Sequence, residues 1–101
     1  VTLNAKQKEM FANGYFPKRS GEIQMIFKPQ WIEGFLNGGT THGVWTPYDA
    51  HIPLLWYGWN IKPGKTNSET YMTDIAATLA ALLQIQMPNG CIGTVIREVF
   101  K

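Results

Sequence analysis

The sequence predicts an α/β fold with few strands and flanking helices, and three stretches carry that prediction. Ile52-Pro53-Leu54-Leu55-Trp56-Tyr57 is apolar nearly throughout and is closed by Gly58, the pattern of a strand covered on both faces. Glu22 to Phe27 opens with polar and apolar alternation and ends in the apolar run Met25-Ile26-Phe27, between Gly21 and Pro29. That predicts a second strand, buried more deeply towards its end. Tyr71 to Ile85 repeats Met72, Ile75, Ala76, Leu79, Leu82 and Leu83 at helical spacing.

In chain order, Ala5 to Asn13 holds good helix formers with Met10 and Phe11 as apolar contacts, and Gly14 supplies a stop signal. Tyr15 to Gly21 is a connection punctuated by Pro17 and Gly21, in which the Ser20 hydroxyl can bond the nearby backbone. After the first strand, Trp31 to Val44 contains four glycines and no period. A loop of that length in a small domain is functional or disordered. Pro53 belongs near the start of the second strand, where a missing N–H costs least. Lys62-Pro63-Gly64-Lys65 and Pro88-Asn89-Gly90 read as turns. Thr73 is placed to cap the long helix and Asp74 to sit favourably in its first turn. The opposite face, with Ala77, Thr78, Ala81 and Gln84, is bare of charge beyond Asp74. A helix so bare is buried on more than one side. Thr94 to Phe100 is a short final segment with strand character.

At 101 residues the chain has room for one small domain, and no repeat or interdomain linker divides it. Only 16% of residues are charged, well below the roughly 25% of an average soluble domain, so its surface alone is poorly charged. The nine Lys and Arg are scattered, with Lys18-Arg19 the one basic pair. Nucleic-acid binding has no electrostatic footprint in that pattern. The apolar part of the long helix is too short to span a membrane. Cys91 is alone, so no internal disulfide forms, and its expected role is that of a small apolar side chain. The chain opens at Val1-Thr2-Leu3-Asn4 without initiator Met, basic n-region or apolar h-region. The expectation is that a preceding stretch lies outside this sequence.

Gly38-Gly39-Thr40-Thr41-His42-Gly43 sets a histidine among glycines that let backbone and ligand approach closely. Imidazole suits zinc in softness and geometry, although from residue type alone an ordinary loop histidine fits as well. Asp49 and His51 precede the predicted strand, where alternate residues face the same way. They either orient a metal ligand from the second shell or serve structure, Asp49 capping a turn and His51 satisfied in the packing. Thr40 and Thr41 either bond within the loop or contact substrate. Among Trp31, Trp45, Trp56 and Trp59, Trp56 reads as core. Trp45, just after His42, is the candidate for a substrate entrance together with Thr41.

His42, read with Tyr48-Asp49-Ala50-His51-Ile52-Pro53-Leu54-Leu55, Gly58 and Ile61-Lys62-Pro63-Gly64, resembles the carboxy-terminal signature of the alkaline phosphatase superfamily. Within it the chain is most similar to the bacterial phosphate-irrepressible monoesterases grouped with the type I phosphodiesterase and nucleotide pyrophosphatase family. Arg19-Ser20-Gly21-Glu22, Met72-Thr73-Asp74-Ile75-Ala76-Ala77-Thr78-Leu79 and Pro88-Asn89-Gly90-Cys91-Ile92-Gly93 extend the resemblance over essentially the whole chain. Two positions depart from it: the family's usual Asp is Glu22 here, and its common Pro is Ala77.

The resemblance implies that residues 1–101 are the carboxy-terminal part of an alkaline-phosphatase-like α/β/α sandwich, in a periplasmic or secreted protein. It implies that His42 is a ligand of one of two catalytic zinc ions, in an enzyme that hydrolyses phosphate esters through a covalent phosphoenzyme. The nucleophile and the other ligands would lie upstream. With only two His and two Asp, the chain cannot assemble two ordinary zinc sites by itself. It is therefore expected to be inactive alone, to require the remainder of the catalytic domain as partner, and to self-associate through uncovered apolar surface. The competing reading is a stand-alone interaction module, whose exposed aromatic residues bind a partner and in which His42 is incidental.

Overall fold

The computed structural model describes residues 2–34, 38, 39, 42, 45–58 and 60–100. It divides into two compact units, residues 1–52 and 53–101.

In the first unit, α1 (Ala5–Gly14) forms where Asn4 and Gln7 make a reciprocal capping box. The Asn4 side chain accepts from the Gln7 N–H at 2.9 Å and the Gln7 side chain accepts from the Asn4 N–H at 3.0 Å. Two of the helix's unpaired donors are thereby satisfied. The helix matches the predicted span to within a residue, but it buries none of its residues. The following turn is held as its residues suggest, the Ser20 hydroxyl accepting from the Phe16 N–H at 2.9 Å. A four-residue helix, α2 (Pro47–Ala50), takes Pro47 at its first position, where a missing N–H is harmless.

In the second unit, α3 (Asp74–Leu83) is shorter than the predicted span. At its start, Tyr71 to Thr73 are held in a turn by backbone bonds from Asp74 and Ile75. Thr73 stands at the expected cap position, but its backbone is helical and its hydroxyl makes no capping bond. The capping is done by Asp74, whose Oδ2 accepts from the Tyr71 N–H at 2.8 Å, as the reverse arm of a capping box does. At the other end Gln84 adopts a left-handed conformation, φ 55°. The Gln84 and Ile85 N–H groups donate to the Ala81 and Ala80 carbonyls, a Schellman closure with glutamine where glycine is usual.

Of the two sides of α3 expected to be buried, the small-residue side is buried and much of the leucine side is not. Asp74, Ala77, Thr78 and Ala80 are buried, while Met72, Leu79 and Leu83 are exposed. Small side chains explain this, because they let another backbone come close. The Thr78 hydroxyl donates to the Asp74 carbonyl at 2.7 Å and accepts from the Ile96 N–H at 3.0 Å. Asp74 Oδ1 accepts from the Thr94 N–H at 2.8 Å. Gly93 lies so near that a Cβ there would stand 2.0 Å from the Thr73 carbonyl oxygen. Ile96 and Val99 complete the core, and the predicted final strand is instead a 3-10 helix, Arg97–Phe100.

Neither predicted strand is present among the described residues. Residues 23–28 and 51–57 run without regular hydrogen-bonded structure, since an extended segment becomes a strand only when a neighbour takes its N–H and C=O groups. Exposure falls along the first of them, from 85% at Ile23 to 38% at Phe27, in the predicted direction. The second is not covered on both faces: Leu55 is 88% and Tyr57 98% exposed. Trp56 is half-buried, and its indole N–H is buried without an acceptor. The Pro88-Asn89-Gly90 turn is present, with Gly90 at φ 76° and the Cys91 N–H donating to Pro88.

Candidate functional site

The predicted site residues all fall in the first unit, between Phe27 and Ile52. Lys28-Pro29-Gln30-Trp31 closes a turn through a bond from the Trp31 N–H to the Lys28 carbonyl at 3.1 Å. Pro29 presets its first central residue, and Gln30 takes the left-handed second position at φ 68°, one that glycine usually occupies. That conformation costs roughly 1–2 kcal/mol for a residue with a Cβ. An external bond holds it, because the Gln30 N–H donates to the Tyr48 hydroxyl at 2.8 Å. A second brace runs from the Trp45 indole N–H to the Phe27 carbonyl at 3.3 Å.

These two bonds tie Tyr48 of α2, and Trp45 two residues before that helix, to the Phe27–Gln30 segment eighteen positions earlier. Between them lies a recess of about 320 Å³, lined by Phe27, Trp31, Trp45 and Tyr48 among others and touched by Gly39. Trp45, the expected entrance residue, is thus half-buried in the wall of an aromatic recess. Sequence reading missed Tyr48 and the Gln30 turn as parts of this wall. Pro29 before a polar residue was the available turn signal; the pairing with Tyr48 had none, being long-range.

Asp49 sits within α2, where its carboxylate accepts from the buried Thr46 hydroxyl at 2.8 Å. Its N–H donates to the Thr46 carbonyl at 2.9 Å. His51 ends the same turn, exposed, its N–H donating to the Pro47 carbonyl at 3.0 Å. The alternation argument for this pair does not apply, because positions two apart on a helical turn point to different sides. His42 is exposed. Thr40, Thr41, Gly43 and Trp59 lie outside the described residues.

A zinc site needs about four donors, and among the described residues no group of three or more His, Cys, Asp or Glu gathers to hold a metal. The side chains described here do not by themselves fit a resident metal. Among the described residues no helix is long and apolar enough to cross a membrane.

The alkaline phosphatase PhoV of Synechococcus elongatus is 50% identical over the whole chain, and the alkaline phosphatase PafA of Elizabethkingia meningoseptica is 51% identical over 91% of it. The chain is a homologue of the alkaline phosphatases. The match corresponds to a carboxy-terminal portion of that family. A protein of Myroides odoratus named calcium-transporting ATPase is 56% identical over 93% of the chain. The chain spans only 17–18% of the length of these relatives. No protein-family profile matches it, and no solved structure does.

Proposed function

We propose that this chain is the segment of a zinc-dependent phosphoesterase that contributes His42 to one of two catalytic metal ions. The supporting observation is identity of about half the residues, over 100% and 91% of the chain, to two proteins named alkaline phosphatase. His42, in the Thr-His-Gly context, would give one nitrogen donor. Zinc, when bound, would supply Lewis-acid stabilisation to phosphoryl transfer. Asp49 and His51 would act outside the coordination sphere, holding the loop and helical turn that follow His42. A periplasmic or secreted location belongs to the same reading.

The segment would need the remainder of the protein as its partner, completing an α/β/α sandwich. Ile23, Met25, Leu55 and Tyr57, with the Leu79 and Leu83 side of α3, are exposed apolar surface of the kind that marks an interface. The extended segments would gain strand partners there. The isolated chain is expected to be inactive towards p-nitrophenyl phosphate with added zinc, and to self-associate, with sedimentation that depends on concentration. A monomeric species that turns over substrate, and loses that activity as His42→Ala, would overturn this.

In a complete protein carrying the segment, His42→Ala and His51→Ala are made separately, and bound zinc and phosphatase rate are measured at saturating metal. His42→Ala should lose zinc and activity, while His51→Ala keeps the metal and loses at most about 10–100-fold in activity. Full zinc content and rate in His42→Ala would end the ligand assignment. The Myroides relative's name supplies a second reading, calcium transport driven by ATP. ATP-dependent calcium uptake into vesicles carrying the complete protein, absent with p-nitrophenyl phosphate, would favour it over the esterase.

A further inference from the structure

The aromatic recess of the first unit is unexplained by a metal-ligand role for His42. Its polar edges are already engaged: the Trp45 indole N–H by the Phe27 carbonyl, the Tyr48 hydroxyl by the Gln30 N–H, and Asp49 by the Thr46 hydroxyl. Ring faces and edges remain, together with the Lys28 and Gln30 side chains in the lining, and Trp31 and Tyr48 are exposed. At about 320 Å³ the recess is at the lower end of the roughly 300–1,000 Å³ of small-ligand sites. A second recess of this unit, beside α1, is of similar size, about 350 Å³, but neither Gly39 nor Trp45 lines it.

The position of His42 supplies the second argument. Gly39 and Trp45 both line the recess, and His42 is three residues from each, so its Cα lies within about 11 Å of both. That bound keeps His42 in the neighbourhood of the recess and is compatible with one ester reaching both. The geometry points to a leaving-group subsite: Trp45, with Trp31, Tyr48 and Phe27, seats a planar aromatic ring carried on the alcohol side of a phosphate ester. This rests on the phosphoesterase reading. Offset or edge-on ring packing supplies the selectivity, and it is lost when the indole is removed.

The test uses a complete protein carrying the segment and two substrates that both release an alkyl alcohol, benzyl phosphate and methyl phosphate. Trp45→Ala should lower kcat/KM for benzyl phosphate by about tenfold, change that for methyl phosphate less than about twofold, and leave bound zinc unaltered. Trp45→Phe should restore most of the preference. Should Trp45→Ala fold poorly, inhibition of the unaltered enzyme decides, with benzylphosphonate expected to bind more tightly than methylphosphonate. Equal losses on both substrates, or equal inhibition, overturn the subsite while leaving the phosphoesterase reading intact; that outcome means the recess is filled by the protein's own remainder. Absence of zinc-dependent hydrolysis of either ester overturns both.

Discussion

In the 53–101 unit, Ala77, Ala80, Ile96 and Val99 are buried around Asp74 and Thr78, whereas in the 1–52 unit Thr46 alone is buried among the described residues. The first of these cores is small, but its polar groups are paired: one carboxylate takes N–H groups from Tyr71 and Thr94, and one hydroxyl joins the Asp74 carbonyl to the Ile96 N–H. Among the described residues, the 1–52 unit's long-range bonds each join one side chain to exposed backbone, the Gln30 N–H to the Tyr48 hydroxyl and the Trp45 indole N–H to the Phe27 carbonyl. The difference teaches that the two units spend their residues differently. One fixes backbone by close approach and buried hydrogen bonds, and the other leaves His42 and Tyr48 exposed, with Trp45 half-buried beside them. Loops that carry chemistry on a surface are the less protected part of a protein in general.

The sharpest way to break the comparison is Gly93→Ala. The added Cβ would meet the Thr73 carbonyl and the Asp74 nitrogen at 2.0 and 2.8 Å, both backbone atoms that cannot swing aside. Destabilisation of roughly 3 kcal/mol or more is expected, read as loss of helical circular dichroism at lower urea; an unchanged midpoint would mean that the Gly93 approach is not native. Next comes Asp74→Ala, which strips acceptors from two N–H groups at a buried site. It should cost about 2–3 kcal/mol, with amide exchange accelerating at Tyr71 and Thr94 before the middle of α3.

Thr78→Val is smaller, since shape is nearly kept and the Ile96 N–H alone loses its acceptor. About 1–2 kcal/mol is expected, and a neutral result would show that the hydroxyl bridge is dispensable. Smallest of all should be the stability effect of His42→Ala, because the side chain is exposed and surface substitutions seldom matter to folding. The urea midpoint of the chain should stay in place. A large drop there would erase the contrast, by making His42 part of what holds its unit together.

Much of this was legible in residue order. The α1 span follows from helix formers ended by Gly14, the Ser20 turn from Pro17 and Ser20, and the Asn89–Gly90 turn from its own dipeptide, because each depends on neighbours within four residues. The kinship with alkaline phosphatases was likewise carried by short motifs. Several sequence signals misled. Apolar runs suggested strands over 22–27 and 52–57, leucine periodicity counted the Leu79 and Leu83 side of α3 as buried, and alternation put Asp49 and His51 on a strand approach.

Sequence by itself determined where helices and turns begin, which residue types gather around His42, and that the apolar content exceeds what this length can bury. Only tertiary structure decided that α3 turns its small face inward, since the choice between alanine and leucine faces depends on which backbone arrives to meet it. Gly93 packs close against Thr73, and Thr94 and Ile96, twenty and eighteen residues on, bond Asp74 and Thr78. Tertiary structure also decided that residues 51–57 form no strand, for a physical reason that no residue type encodes: a strand's hydrogen bonds belong to two segments at once, and the apolar run supplies one.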